Sequence, residues 1–302
     1  MNVLVSLCLA ASLVAPGPQL DKAPQKKSSD ITIGTIIYKW KEIDSEMKNL
    51  AENGFTSCQV QYSGQMDSEY AKLLRKTADK YGIKITTVVA VPGHCEWNFQ
   101  KGPSTIGLVP NEGREEKIAV YHRMIDFCKD AGVPAMHSHF GFIPEDMGSA
   151  LYKDFVAVMK DLGNYAKERG VMIYFETGQE TPITLVRAIK DIGTGNLFIN
   201  CDVANLMLYG KANPVDALRI FGPLVKDVHA KDGCYPTADN PYYLGAEKPI
   251  PEGDVDFPEV IKVLKQENYK GALTIEYELN ESSKEYLVKT RKYLQKLIDS
   301  KK

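Results

Sequence analysis

From Ile31 onward, short apolar runs alternate with stretches of helical periodicity. The runs ITIGTII, FTSCQVQ, IKITTVVAV, AMHSH, VMIYFET, LFINCDV, VKDVHAKD and GALTIEYE read as eight strands. Helices are expected over 43–53, 68–81, 112–131, 147–169, 182–192, 214–221, 258–268 and 282–297. Several end at a glycine (Gly54, Gly82, Gly132, Gly170), the residue that takes a left-handed C-cap at least cost. Long loops are expected at 92–111 and from the seventh strand to Asp256. Strand–helix alternation implies a parallel sheet with right-handed crossovers. Eight such units in one domain favour a single closed (β/α)8 TIM barrel, an α/β fold. An open doubly wound sheet is the alternative, but no G-x-G-x-x-G follows the first strand.

The period of two within the strands sorts the side chains into two faces. If Asp202 faces the barrel interior, so does Asn200, while Leu197, Ile199 and Cys201 face the helices. Asp227, His229 and Lys231 share one parity, as do Thr274 and Glu276. Ionisable groups lining a barrel centre are costly unless they bind something.

Four of them end consecutive strands: Glu176, Asp202, His229 and Glu276. Strand ends at the mouth of a parallel barrel converge on one point. Oxygen donors with one imidazole suit a single divalent cation such as Mn²⁺, Mg²⁺, Co²⁺ or Zn²⁺. The bland alternative is a hydrogen-bonded polar plug without metal.

The 302 residues are 44% hydrophobic and 25% charged, an ordinary globular composition with length for one sizeable barrel domain. A net charge of −2 with no basic stripe argues against a nucleic-acid partner. The start of the chain differs: residues 3–14 are nearly all apolar or small, and Pro16, Gly17 and Pro18 break the run. That run is too short to span a bilayer and fits a secretory signal core, although no Lys or Arg precedes it. The expected organisation is a signal peptide at 1–20, a polar linker at 21–30 and the barrel at 31–302. The protein would then be periplasmic or secreted with no transmembrane anchor after processing, and cytoplasmic if the segment is not a signal. Six scattered cysteines with no C-x-x-C pair exclude a zinc ribbon and a dense disulfide scaffold.

The segments IYFETG, NCDVANLMLYG, DVHAKDG, PEGDVDFPEV and LTIEYE, in this order and spacing, resemble the xylose isomerase-like TIM barrels, the sugar phosphate isomerase/epimerase group. The resemblance covers roughly 31–297. It implies that Glu176, Asp202, His229 and Glu276 bind one divalent metal, and that Glu176 and Glu276 are also the acid/base pair. Some members carry D-x-x-H on strand six; here Asn205 stands at that position, which puts a second metal in doubt.

Other residues are candidates for substrate contact. His139, the outer histidine of the H-x-H on strand four, is one. His94 and Trp97 follow strand three, where the indole could stack on a sugar face. Lys231 could hold an oxyanion or hydroxyl, or form a rim salt bridge with Asp232 or Asp254. Glu278 shares parity with Glu276, and Asn205 completes the set.

The expected activity is a divalent-metal-dependent sugar isomerase or epimerase, abstracting a proton beside a carbonyl through a metal-stabilised enediolate. The runner-up is a lyase or dehydratase acting on a keto-sugar or keto-cyclitol, because β-elimination proceeds from the same intermediate. A phosphodiesterase would need more His and Asp ligands, and a non-catalytic carbohydrate-binding protein would not need both glutamates. The expected partner is a small carbohydrate, unphosphorylated because no Gly-rich anion cup follows strands seven or eight. A homo-oligomer is compatible with all of this.

Overall fold

The computed structural model describes residues 30–277 and 283–300. The strands are β1 (Thr32–Ile37), β2 (Ser57–Gln61), β3 (Lys84–Val89), β4 (Ala135–Ser138), β5 (Met172–Glu176), β6 (Leu197–Asp202), β7 (Val225–Ala230), β8 (Asp232–Cys234), β9 (Ala246–Lys248) and β10 (Ala272–Ile275). Strands β1 to β7 pair in sequence order, and β10 joins β7 to β1, so the parallel sheet closes into the expected eight-stranded barrel. The remaining two strands, β8 and β9, form a separate antiparallel hairpin within the loop expected after strand seven.

The helices are α1 (Ile43–Glu52), α2 (Ser68–Tyr81), α3 (Gly102–Thr105), α4 (Arg114–Ala131), α5 (Ala150–Glu168), α6 (Pro182–Ile192), α7 (Val203–Leu208), α8 (Pro214–Phe221), α9 (Phe257–Gln266) and α10 (Lys284–Asp299). Local chemistry explains their limits. Asp67, Ser149 and Asp256 accept the first free backbone N–H groups of α2, α5 and α9. Gly82 and Gly132 close α2 and α4 in left-handed geometry. The short α3 and α7 lie in segments without helical periodicity, so the pattern alone did not signal them.

The apolar layer lies between strands and helices. Ile33, Val60, Ile173, Ile199, Cys201, Leu273 and Ile275 are buried there against the inward stripes of the helices. The opposite strand faces fill the barrel interior with polar groups, buried Gln59, Thr87, His137, Asn200, Asp227 and Thr274 among them. The expected parity therefore holds on β6, β7 and β10. Many of these interior groups are paired: Thr274 donates to Asp227 at 3.0 Å, and Thr87 bonds His137 Nδ1 at 2.7 Å.

The long loop after β3 folds back over the barrel mouth. Gly107 makes this possible: its φ is +70°, and a Cβ would sit 2.0 Å from the Phe140 carbonyl carbon. Leu108 N donates to Phe140 O at 2.9 Å and pins the loop there.

Among the described residues no helix is long and apolar enough to cross a membrane. The five described cysteines are free thiols. The expected signal peptide, nearly all of the linker, and Glu278 lie outside the described residues.

Candidate active site

Glu176 ends β5, Asp202 ends β6, His229 is the penultimate residue of β7, and Glu276 follows β10 directly. All four are buried, and one ligand atom from each lies within 4.8 Å of the others. His229 Nδ1 is the hub: it is 3.0 Å from Glu176 Oε1, 3.0 Å from Glu276 Oε2 and 3.7 Å from Asp202 Oδ2.

Asp202 splits its two oxygens. Oδ1 accepts the backbone N–H of Asn205 at 2.8 Å and so caps α7. Among the described residues Oδ2 is buried with no hydrogen-bond partner, and the same is true of His229 Nδ1. Two orphaned donor atoms facing each other across a buried carboxylate cluster are expensive in a protein that binds nothing there. A divalent cation satisfies both, so this donor set can hold one.

The electrostatics divide the carboxylates. Burial raises Glu176, but His139 and His229 outweigh it and hold the carboxyl well below the usual range. Burial likewise raises Glu276, and Lys231 and His229 overcome that to lower it. Asp202 goes the other way: burial raises it to about 6, against a smaller lowering by its contact with His229. Burial opposes charge on His229, yet Glu276 and Glu176 lift it well above an ordinary imidazole. Deeper in the barrel, burial drives His137 down to about 3, so that ring is neutral.

A cleft of about 440 Å³ opens above the cluster, a size suited to a small ligand. His139, His94, Trp97, Asn205 and Lys231 all line it. His139 Nε2 lies 3.3 Å from Glu176 Oε2, and its Nδ1 lies 3.0 Å from Gln179 Oε1. Trp97 packs edge-on against the His139 ring, 5.1 Å between centroids. His94 sits at the rim, largely exposed, 3.3 Å from Glu96. Lys231 Nζ lies 3.4 Å from Glu276 and 3.8 Å from Glu247. Among the described contacts Lys231 bridges Glu276 and Glu247 rather than Asp232 or Asp254; Asp232 accepts the backbone N–H groups of Gly233, Gly253 and Val255.

Several residues of this region were not singled out from sequence. Gln59 bonds His229 Nε2 at 2.9 Å. It was legible in principle, since it shares the interior parity of β2 while Cys58 and Val60 face the helices. His137, by contrast, was already marked as the inner histidine of the H-x-H, and it lies 3.6 Å from Glu176 Oε2. Among the described residues the buried hydroxyl of Tyr209, which lines the cleft, has no hydrogen-bond partner, and neither does the buried amide nitrogen of Gln179. Glu180 is buried, and burial raises its carboxyl to about 8. Glu247 comes from β9, and no local signal linked that loop to the site.

The model of the xylose isomerase-like TIM barrel matches residues 47–297. The chain belongs to this family. A xylose isomerase domain protein of Planctomyces limnophilus is 30% identical, aligned over 90% of this chain and 98% of that one with a TM-score of 0.78. An inosose dehydratase of Clostridium tetani is 27% identical over 161 residues, 48% of this chain and 54% of that protein. The chain thus spans about half the length of that relative. A D-psicose 3-epimerase of Clostridium cellulolyticum H10, solved with D-tagatose, is 14% identical with a TM-score of 0.67 over 89% of this chain and 98% of that one. At that identity the likeness is one of fold. Membership supports an enzyme of the isomerase, epimerase and dehydratase kind.

Proposed function

We propose that this xylose isomerase-like barrel is a divalent-metal-dependent isomerase or epimerase of a small, unphosphorylated keto-sugar. The observation that carries the reading is the placement of Glu176 and Glu276, each 3.0 Å from His229 Nδ1, with Asp202 closing the set. Glu176, Asp202, His229 and Glu276 would hold the cation. Bound there, it would supply positive charge to stabilise the enediolate oxygens that develop when a carbon acid beside a carbonyl ionises.

The chain's own groups supply the rest. Glu176 and Glu276 stand ionised and come from strands β5 and β10, which are not neighbours in the barrel. One takes the carbon-bound proton and the other returns a proton to the opposite face or to the adjacent carbon. His139 holds Glu176 on its outer side, and Lys231 holds Glu276. The orphaned Tyr209 hydroxyl and Gln179 amide offer hydrogen bonds to substrate hydroxyls. Trp97, at the edge of the cleft, packs edge-on against His139 and offers a flat apolar face to a sugar.

A second reading is dehydration of a keto-cyclitol or keto-sugar, and the similarity to inosose dehydratase favours it specifically. Both begin with the same proton abstraction. Incubating the metal-loaded protein in D₂O with a panel of ketoses, keto-glycosides and keto-cyclitols tests both by mass spectrometry. Deuterium incorporation without loss of water supports the first reading; loss of water supports the second. No exchange with any substrate, together with no stoichiometric metal, defeats both.

A further inference from the structure

We propose that Gln59 is the positioning residue of the metal centre: it fixes His229 as the Nε2–H tautomer, leaving Nδ1 as the nitrogen offered to the cation. This rests on the metal reading above.

Gln59 is fully buried on β2, and its Oε1 lies 2.9 Å from His229 Nε2. Strands β2 and β7 are separated by β1 and β10, so this bond crosses the barrel interior. The register of β2 against β3 shifts between Cys58 and Gln59, which places Gln59 opposite Thr87 rather than Thr86. Bulges beside functional sites re-aim single side chains in this way.

The orientation of the amide is decided by its other neighbour. Its nitrogen is buried and makes no hydrogen bond among the described residues, but it lies near enough to Asp227 to help lower that carboxyl, which burial raises. A carboxylate only accepts, so the NH₂ belongs on that side and the carbonyl oxygen on the side of His229. An oxygen accepts, so Nε2 must carry hydrogen. The lone pair of the neutral ring is then on Nδ1, where Glu176, Glu276 and Asp202 gather. A flipped amide would instead leave Nδ1–H pointing at three carboxylates and no nitrogen for the cation. Partners of this kind typically set metal affinity by 10–100-fold.

The test uses the full chain loaded with zinc, which is diamagnetic. With ¹⁵N-labelled histidine, a long-range ¹H–¹⁵N correlation should show His229 protonated at Nε2 and bound to zinc through Nδ1. Gln59→Leu should weaken zinc binding by roughly 10–100-fold, measured by competition titration. Gln59→Glu keeps an acceptor and should bring the affinity back to within a few-fold of wild type. A residue that merely fills the barrel would give neither the loss nor the rescue. Zinc on Nε2, or a folded Gln59→Leu protein with wild-type affinity, overturns the inference while leaving the metal reading intact. Should Gln59→Leu not fold, the wild-type spectrum and Gln59→Glu decide. Failure of the wild type to bind any divalent metal overturns the proposed function and this inference together.

Discussion

Glu180 sits in the loop after β5, only 5% exposed, and its carboxylate forms no ion pair among the described residues. Burial raises its carboxyl from the usual 4.5 to about 8, against smaller lowering by His139, by its own backbone N–H and by Lys211. The sign follows from linkage. Below pH 4.5 the carboxyl is protonated whether the chain is folded or not, and it costs nothing. As pH rises from 4.5 towards 8 the unfolded chain ionises and the folded one does not, so stability falls; above 8 the loss is complete. Each pH unit inside that window costs about 1.4 kcal/mol. Glu180→Gln removes the titration while keeping the shape. The variant should therefore match the wild type near pH 4.5, exceed its stability by about 3 kcal/mol at pH 7, and by roughly 5 kcal/mol at pH 9. Urea denaturation at pH 5, 7 and 9 measures this directly, with two-state behaviour checked by two probes. A stability difference that does not grow with pH would refute the argument that this carboxyl is buried without a counter-charge.

Other outcomes follow from the site. Saturating Mn²⁺, Co²⁺, Zn²⁺ or Mg²⁺ at about 100 times its Kd should add about 2.7 kcal/mol to chelator-treated protein and raise Tm by roughly 5–10 °C in a thermal melt. Asp202→Asn should abolish most of that shift, since the Oδ2 it alters is one of the two orphaned donors. Tyr209→Phe should stabilise the free protein by about 1 kcal/mol yet lower kcat/KM roughly 10-fold or more, because the buried hydroxyl is unpaired until substrate arrives. Melting curves and steady-state rates read the two opposite signs. Trp97→Ala should raise KM roughly 2–10-fold with kcat little changed, since the ring touches His139 and the cleft but not the cluster of acids.

Strand–helix alternation and glycine stops already imply the barrel, because each element's period is a local property of the chain. The four cluster residues were legible for a similar reason. In a parallel barrel every strand delivers its C-terminal end to the same rim, so position along a strand already implies position in space. The same parity reached His139 and Lys231, while Asn205 was picked out by its place three residues after Asp202. Tertiary structure alone decided the rest. Gln59 meets His229 across two intervening strands, Glu247 reaches Lys231 from a hairpin that no periodicity announced, and Asp202 spends one oxygen on capping α7. These are pairings between distant segments, set by how the barrel closes and how loops pack over its mouth. Local sequence constrains such contacts only weakly, because many partners would satisfy the same residue until the fold removes the alternatives.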